Sequence, residues 1–398
     1  MSKRVLIIVE NLPVPFDGRV WKQALALTSG GYQVTVLSPR AKGYVKNHEV
    51  LEGVHIYRHP MPKEASRALG YFVEYLAAFF WELLYSIWIF GTRGFDVIQG
   101  CNPPDTIAFV ALPFRIFGVK YIFDHHDVNP ELYIAKYNRK DFFYRALVTL
   151  ERLTFRLSDI VISTNESYKT IAIQRGGVKP ENIFVVRNGP DLTKFFPVQP
   201  NPDLKYGKKY LVGYVGTMGE QEGLDILLEA AREIKRRGRR DVHFTCVGGG
   251  PALASLRKMV VDLDLEDTVN FTGRIADEDL LQILSTADVC VNPDKPCEMN
   301  DLSTMIKIAE YMAMGKPIVQ FDLREGRYTA AEASLYCDAA TLATGFADKI
   351  IWLLDHPEER ARMGEFGMRR VKEELAWEYS VRNLYTAYER ALSPLKPA

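Results

Sequence analysis

A lysine, a carboxylate and hydroxyl side chains recur at helical spacing between residues 300 and 319 (NDLSTMIKIAEYMAMGKPIV). Ser303, Lys307 and Glu310 fall on one face of a predicted helix, and Ser303 or Thr304 is predicted to cap that helix. Free amides in a first helical turn and an ammonium group attract phosphate, and a carboxylate accepts hydrogen bonds from sugar hydroxyls. These residues therefore predict a site for a phosphorylated sugar. The alternative is a solvent-exposed Lys307–Glu310 ion pair, worth only about 0.2–0.5 kcal/mol.

Two histidines and an aspartate follow a predicted strand in the segment KYIFDHHDVNPELY, residues 120–133. In open α/β sheets, ligands collect outside the carboxyl ends of the strands. His126 and Asp127 are therefore candidates for chemistry, although a pair of histidines is more often structural. His125, His126 and Asp127 also suggest a metal site, but we find no further ligand at suitable spacing and predict no metal.

A glycine-rich connection, GTMGEQEGLD, joins a predicted strand at residues 210–215 to a predicted helix at 226–237. Gly216 and Gly219 permit close approach of the backbone to phosphate. The first predicted strand, residues 5–9, is followed by a loop ending at Gly18 that lacks the Gly-x-Gly-x-x-Gly motif. This absence argues against a dinucleotide cofactor at the first strand.

The positions of these motifs require an α/β protein of two domains. The chain has 398 residues, 47% of them apolar, and a formal net charge of zero. This length favours two domains, and the balanced charge does not indicate a nucleic-acid-binding protein. Five cysteines, an odd number without paired ligand spacing, indicate reduced thiols in a cytoplasmic protein. The short apolar run near the N-terminus predicts a strand and not a signal peptide.

The most apolar segment is residues 70–91, GYFVEYLAAFFWELLYSIWIFG. It is long enough to span a bilayer, which takes about 20 residues. Glu74 and Glu82 argue against a span because a carboxylate within the membrane costs about 2.5–3.5 kcal/mol. We predict a helix that belongs mainly to the core of the first domain. The alternative left open is that its aromatic face contacts the membrane interface.

The segment EYMAMGKPIV resembles the signature of retaining glycosyltransferases of the GT-B fold, family 4 (glycosyl transferases group 1). That family carries a Glu-x7-Glu pattern followed by an Ala-Met-x-Gly-x-Pro-Val segment, and Glu310 matches the second glutamate. The first glutamate would fall at Leu302, so Asn300 and Asp301 are the substitute candidates for contact with the donor sugar. A second departure is Glu222, which occupies the position of a lysine that clamps the donor diphosphate. This departure shifts the neutralisation of the diphosphate to Lys307, helix dipoles or Arg324 and Arg327.

The resemblance implies roles for further residues. It places His126, with Asp127 beside it, close to the transferred sugar, so His126, Asp127, Lys307 and Glu310 are the catalytic candidates. Glu310 would fix the ribose. The donor phosphates are assigned to Gly18, Gly216, Thr217, Gly219, Ser303, Thr304 and Lys307. The nucleotide is assigned to Gly273, Arg274, Ile275 and Glu310, and the donor sugar to Asn300, Asp301 and Leu302. No cofactor is implied beyond the nucleotide-diphosphate sugar used as donor substrate, and no metal is implied.

The family's fold implies two Rossmann-like β/α/β domains that face each other across a cleft. We expect an acceptor-binding domain at residues 1–192, a linker at 193–207 and a nucleotide-sugar-binding domain at 208–375. A C-terminal helix in residues 376–398 is expected to cross back to the first domain. The expected reaction is hexosyl transfer to a glycan or lipid-linked acceptor in polysaccharide or glycoconjugate synthesis. The expected location is the cytoplasm, with peripheral contact at the inner face of the plasma membrane left open.

Three alternatives to this function remain open from the sequence. The first is a GT-B-fold epimerase acting on a nucleotide sugar. The second is a glycogen-synthase-like or sucrose-type transferase with a soluble acceptor. The third is a non-catalytic scaffold that binds a nucleotide sugar, and the two departures from the family pattern motivate it.

Overall fold

The computed structural model describes residues 3–61 and 68–393, with only the helical backbone described for residues 68–75. The described chain divides into two compact units. The first comprises residues 1–188 and 380–398, and the second comprises residues 189–379. Each unit contains one sheet, which confirms the predicted α/β class.

The first unit is built on an eight-stranded sheet. Its elements are β1 (Arg4–Val9), α1 (Gly18–Ser29), β2 (Gln33–Pro39), β3 (His48–Leu51), β4 (Val54–His59), α2 (Ala68–Thr92), β5 (Val97–Cys101), α3 (Ile107–Ala111), a 3₁₀ turn (Leu112–Phe117), β6 (Lys120–His125), α4 (Asn129–Tyr137), α5 (Phe142–Leu157), β7 (Ile160–Ser163), α6 (Glu166–Gln174), a 3₁₀ turn (Pro180–Asn182) and β8 (Ile183–Val185). The strand order is β3-β4-β2-β1-β5-β6-β7-β8, and all neighbours are parallel except the β3–β4 pair. The central strand β1 is apolar throughout Val5–Val9, as is typical of a strand in a parallel sheet that is covered on both faces.

The second unit is built on a six-stranded sheet in which all neighbouring strands are parallel. Its elements are a 3₁₀ turn (Pro202–Lys205), β9 (Tyr210–Val215), α7 (Leu224–Arg236), β10 (Val242–Val247), α8 (Leu253–Asp262), β11 (Val269–Gly273), α9 (Asp277–Thr286), β12 (Val289–Asn292), α10 (Glu298–Leu302), α11 (Ile306–Ala313), β13 (Ile318–Phe321), α12 (Arg324–Ala330), a 3₁₀ turn (Ala331–Ala333), β14 (Ser334–Cys337), α13 (Leu342–Asp355), α14 (Pro357–Arg370) and a π turn (Val371–Leu375). The last helix, α15 (Trp377–Leu392), begins in this unit and continues into the first unit from Ser380. The strand order of the second sheet is β11-β10-β9-β12-β13-β14. Two hydrophobic clusters of the unit include residues from this sheet.

The C-terminal region is not one continuous helix. Helix α14 ends at Arg370, and the π turn of residues 371–375 follows it. Ala376 then has an extended backbone, which interrupts the helical structure. Gly189 packs closely against the interruption, because a Cβ at that position would overlap the Leu375 carbonyl oxygen. Only a residue without a side chain fits there. Beyond the interruption, the Tyr385 hydroxyl of α15 donates to the Ala26 carbonyl of the first unit at 2.7 Å.

The segment predicted as a linker, residues 193–207, lies within the second unit. The Val198 amide donates to the Ser285 hydroxyl at 2.9 Å, and the Asn201 amide donates to the Thr286 hydroxyl at 2.9 Å. Both acceptors belong to the last turn of α9, so this proline-rich stretch is attached to the surface of the unit. The chain passes from one unit to the other at residues 188–189 and again at 379–380.

Helix α2 has its polar residues turned inward. Glu82 is 1% exposed and Ser86 is fully buried, whereas Phe80, Leu84 and Trp88 are each more than half exposed. The helix was predicted to belong mainly to the core, but only one side of it is buried, and its aromatic face is largely at the surface. The side chain of Glu74 lies outside the described residues. Among the described residues, no helix is long and apolar enough to cross a membrane.

Candidate active site

The first unit places His126 and Asp127 at the carboxyl end of its sheet, as predicted for residues that follow β6. Asn102, which follows the neighbouring strand β5, fixes this turn. Its Oδ1 accepts from the His126 amide at 2.6 Å and from the Asp127 amide at 3.2 Å, and its Nδ2 donates to the Asp127 carbonyl at 2.8 Å. One asparagine side chain thus holds the backbone on both sides of the His126–Asp127 peptide.

The two adjacent histidines have different environments. His125 is fully buried and its ring packs against Phe123, Phe155 and Tyr168. The His126 side chain is 11% exposed and therefore reaches the edge of the sheet. His125 is a core residue, and His126 is the histidine available to a ligand.

Asp124 lies fully buried beneath His126, and its carboxylate Oδ2 is 2.8 Å from His126 Nε2. On its other side, Arg19 Nη2 lies 2.8 Å from Oδ1. Burial by itself would raise the pKa of Asp124, but the positive charge of Arg19 and the contact with His126 hold that pKa well below its usual range. Asp124 is therefore an anion at neutral pH. Arg19 also donates to the Val186 carbonyl at 2.8 Å, so its guanidinium is part of the interior.

Gly18 begins helix α1 and is exposed. The Asp17 carboxylate caps the helix by accepting from the Arg19 and Val20 amides at 3.1 and 3.0 Å. A Cβ at Gly18 would meet no atom within 4 Å, so nothing inside the protein requires glycine at this position. An open backbone at a helix N-terminus is compatible with the predicted approach of a phosphate.

One possible metal-ligand group occurs in the described part of the chain: Cys101 Sγ, a carboxylate oxygen of Asp124 and a ring nitrogen of His126 lie within 4.8 Å of one another. The donor set does not fit a metal ion. Burial raises the pKa of the Cys101 thiol well above its usual range, so the thiol stays protonated. The charge of Asp124 is already balanced by Arg19. The Cys101 thiol instead donates to Asp124 Oδ2 at 4.0 Å.

In the second unit, Lys307 is the centre of the candidate site. Its ammonium lies 2.9 Å from Asp294 Oδ1 and 4.9 Å from the centroid of the Tyr214 ring. The Asp294 side chain is 1% exposed, and its other carboxylate oxygen has no hydrogen-bond partner. A Cβ placed on Gly216 would lie 3.6 Å from the ammonium, so the glycine loop and the lysine are adjacent, as the predicted phosphate site requires.

The side chain of Glu222 already binds one backbone amide of the glycine loop. Its Oε2 accepts from the Gly219 amide at 2.9 Å. Burial raises the pKa of Glu222, and the negative charge of Asp294 adds to this increase while Lys307 opposes it. Thr217 is exposed, and its carbonyl accepts from the Tyr214 hydroxyl at 2.6 Å. Of the predicted phosphate-binding loop, Gly216 and Thr217 line the surface near Lys307, and the Gly219 amide already has an acceptor.

The predicted caps of the central helix are wrong. Helix α11 begins at Ile306 with Met305 as its N-cap residue, which makes no side-chain capping bond. Ser303 instead donates to the Met299 carbonyl at 2.7 Å, and Thr304 donates to Glu325 Oε2 at 3.2 Å. The cause is the short preceding helix α10, which ends at Leu302 and leaves the next residues extended. The helix N-terminus therefore lies at residues 305–306, next to Lys307.

Residues predicted to contact the donor sugar have structural partners. The amide nitrogen of Asn300 donates to the Gln221 and Lys295 carbonyls at 3.1 and 2.8 Å. Asp301 Oδ1 accepts from the Arg324 amide at 2.8 Å, and Oδ2 lies 3.4 Å from Arg324 Nη2. Leu302 is half-buried. Asn300 thereby connects the glycine loop to α10, and Asp301 stabilises the start of α12.

The remaining predicted residues lie at two other positions of the second unit. Gly273 ends β11 with φ of 74°, and its carbonyl accepts from the Gly248 amide at 3.0 Å. Arg274 is exposed and Ile275 is half-buried. Glu310 is half-buried on α11, one helical turn beyond Lys307.

Sequence reasoning missed Asp124 and Asp294, which contact His126 and Lys307 respectively. Each of the two aspartates lies near the carboxyl end of a buried strand, where polar residues interrupt an apolar run. That interruption was the available signal.

Two solved structures superpose on almost the whole chain. Sucrose-phosphate synthase from Thermosynechococcus elongatus superposes with a TM-score of 0.79 at 19% identity, covering 98% of this chain and 99% of that one. HepE from Anabaena, solved with UDP and glucose, gives a TM-score of 0.73 at 15% identity over 98% and 100% of the two chains. These likenesses confirm the GT-B fold.

Family models identify the chain itself. The model for glycosyl transferases group 1 matches residues 209–356, and the glycosyl transferase 4-like domain matches residues 18–189. The chain belongs to the group 1, family 4-like glycosyltransferases, as the sequence resemblance predicted.

Two curated relatives align with shorter parts of this chain. Alpha-D-kanosaminyltransferase of Streptomyces kanamyceticus is 33% identical over 39% of each chain. The colanic acid glycosyltransferase WcaL of Escherichia coli, itself described as putative, is 27% identical over 52% of this chain and 46% of its own. The matches to these first relatives thus span less than half of their lengths.

Proposed function

We propose that the protein transfers a hexosyl group from a nucleotide-diphosphate sugar to a glycan or lipid-linked acceptor, with retention of configuration and without a metal. The reaction would belong to the synthesis of a cell-surface polysaccharide or glycoconjugate. Membership of the glycosyltransferase family supports the reaction class. The observation that carries the site is the position of Lys307, which is 11% exposed and lies beside the glycine loop at the carboxyl end of the second sheet.

The chemistry follows from where charge develops. When the bond between the sugar and the diphosphate breaks, negative charge accumulates on the leaving phosphate, and preorganised cations and amides stabilise it. Lys307, the backbone at Gly216 and Thr217 and the N-terminus of α11 supply these groups in the proposal. Glu310 would bind the ribose hydroxyls and so contribute orientation.

The first unit contributes His126 and Asp127 to contacts with the transferred sugar or its acceptor. In the family mechanism that the resemblance implies, the leaving phosphate accepts the proton of the attacking hydroxyl from the same face of the sugar. No protein nucleophile is then needed. The chain's own residues bind, orient and stabilise.

A thermal-shift screen with UDP-, GDP-, dTDP- and ADP-sugars tests donor binding, because a ligand that binds only the folded protein raises its apparent stability. The stabilising donor is then incubated with candidate acceptors, and the anomeric configuration of the product is determined by NMR. Transfer with retention, unaffected by EDTA, is the expected result. Inversion, or a strict requirement for a divalent cation, would contradict it.

The same experiment distinguishes the rival functions. An epimerase would convert the donor sugar without any acceptor. A non-catalytic scaffold, which the acidic Glu222 in the glycine loop favours, would be stabilised by a nucleotide sugar but release no nucleotide with any acceptor. A transferase with a soluble acceptor would act on a free sugar as well as on a lipid-linked one.

We also propose peripheral contact with an anionic bilayer through the first unit. Helix α2 exposes Phe80, Trp81, Leu84, Ile87 and Trp88, which have relative exposures between 39% and 56%. Aromatic side chains on an exposed helix face suit the interface between head groups and acyl chains.

A second part of the first unit has a matching character. Phe142 and Phe143, at the start of α5, are 76% and 59% exposed. They are flanked in sequence by Arg139, Lys140 and Arg145, which are all exposed. Basic side chains next to exposed aromatic ones are attracted to anionic lipid head groups. The combination of exposed aromatic and basic side chains therefore favours an anionic bilayer as the partner.

A further inference from the structure

The buried carboxylate of Asp124 is surrounded by hydrogen-bond donors. Oδ1 accepts from Arg19 Nη2 at 2.8 Å. Oδ2 accepts from Gln23 Nε2 at 2.7 Å and from Gln99 Nε2 at 3.0 Å. His126 Nε2 makes the remaining close contact at 2.8 Å. The carboxylate therefore has partners on both oxygens and no exposure to water.

The orientation of the two amides is fixed by the C-terminal helix. The Tyr388 hydroxyl donates to Gln99 Oε1 at 2.5 Å, so the Gln99 amide nitrogen must point away from that hydroxyl. This nitrogen donates to Gln23 Oε1 at 2.6 Å as well as to Asp124. The Gln23 nitrogen is thereby also directed at Asp124. Tyr388, Gln99 and Gln23 form one chain of donors that ends at the carboxylate.

A carboxylate that accepts hydrogen bonds from three side chains is ionised and has no proton to give. An unprotonated ring nitrogen 2.8 Å from this anion would be repelled, so we assign the hydrogen to His126 Nε2. In the neutral imidazole, Nδ1 is then the unprotonated nitrogen. The Asn102 side chain accepts from the His126 amide, and Asp124 contacts Nε2 of the ring. The backbone and the imidazole of His126 are thus each held by a neighbouring side chain.

We propose that Asp124 is a positioning residue for His126: it holds the imidazole as the Nε2–H tautomer and leaves Nδ1 as the nitrogen that meets the substrate. The inference deepens the proposed function, because it rests on the role given there to His126. Nδ1 would accept a hydrogen bond from a sugar hydroxyl. A ring already held in one tautomer and one orientation would lose little conformational entropy when the substrate binds.

The alternative is that Asp124 only neutralises buried Arg19. Arg19 already has the Val186 carbonyl and Oδ1 as partners, and neither contact involves His126. A purely structural Asp124 would leave the tautomer of His126 unconstrained. The two roles therefore predict different spectra as well as different kinetics.

The first test is the tautomer itself. Long-range ¹H–¹⁵N spectra of the ¹⁵N-histidine-labelled protein, assigned with His126→Gln, should show His126 protonated at Nε2 near neutral pH. A His126 protonated at Nδ1, or averaged between tautomers, overturns the proposal without reference to any activity. This readout also separates its failure from failure of the proposed transferase function.

The second test is a double-mutant cycle on transfer. Asp124→Asn should lower kcat at least tenfold with less than a twofold change in the donor KM, and in a His126→Ala background it should lower kcat no further. Asp159→Asn is the matched control, since Asp159 also pairs with an arginine and accepts a backbone amide. Equal losses of kcat from Asp124→Asn with and without His126 would show that Asp124 acts independently. If Asp124→Asn does not fold, the wild-type spectrum still decides.

Discussion

The Lys307 ammonium lies 2.9 Å from the buried carboxylate of Asp294, thirteen residues earlier in the chain. The lysine is thus held in place and charge-balanced before any ligand arrives. A diphosphate near Lys307 would share this ammonium with Asp294. The pair has a structural role and, in the proposed site, would also have a binding role, and variants can separate the two.

Lys307→Met should both destabilise the protein and remove transfer. Loss of one partner of a buried ion pair leaves an uncompensated charge, which costs about 3–5 kcal/mol. The double variant Lys307→Met with Asp294→Asn should recover most of the free energy of unfolding, measured in urea, yet transfer should stay at least tenfold below wild type. Recovery of both stability and transfer would mean that Lys307 has no role in catalysis.

Glu310→Gln should reduce transfer at least about tenfold, or roughly 1.4 kcal/mol in the barrier. Glutamine keeps the shape but loses the charge that binds two hydroxyls of a ribose. Glu298→Gln, on the neighbouring helix α10, is the matched control and should transfer at the wild-type rate. Equal rates for Glu310→Gln and wild type would remove Glu310 from the site.

Glu82→Gln should make the free energy of unfolding less dependent on pH. Burial raises the pKa of Glu82 well above its ordinary value, which is about 4.3 in unfolded chains. Between the two values the folded protein holds a proton that the unfolded chain releases, so stability falls as pH rises. The variant should therefore gain stability relative to wild type at pH 8 and show the smallest gain near pH 4. Urea midpoints at several pH values measure this, and parallel curves for both proteins would contradict it.

Replacing Trp81 and Trp88 together with glutamine should reduce binding to vesicles that contain anionic lipid. Their exposed rings would no longer enter the interface, which lowers the fraction that floats with the vesicles. Trp352→Gln is the control, since Trp352 is 40% exposed on α13 of the other unit. Wild-type protein that ignores such vesicles would refute membrane contact. So would full activity of the double variant on a lipid-linked acceptor.

The sequence by itself determined the α/β class, most strand positions and the family. Short apolar runs such as residues 5–9 and 210–215 are typical of central parallel strands, and the structure confirms both strands. Gly315, with φ of 67°, follows the end of α11, where glycine readily takes the left-handed conformation that closes a helix. These are local signals, in which a residue type and its spacing suffice.

Only the tertiary structure decided which partners the site residues have. Sequence spacing could not tell that Ser303 and Thr304 would be left outside the helix, because α10 ends just before them. It also could not assign Asp124 to His126 or Asp294 to Lys307. Inside a protein an ionised group must find an opposite charge or a set of donors, and which residue supplies it depends on how strands and helices meet. How strands and helices pack is a property of the folded units, and it does not correspond to any fixed spacing of residues in the sequence.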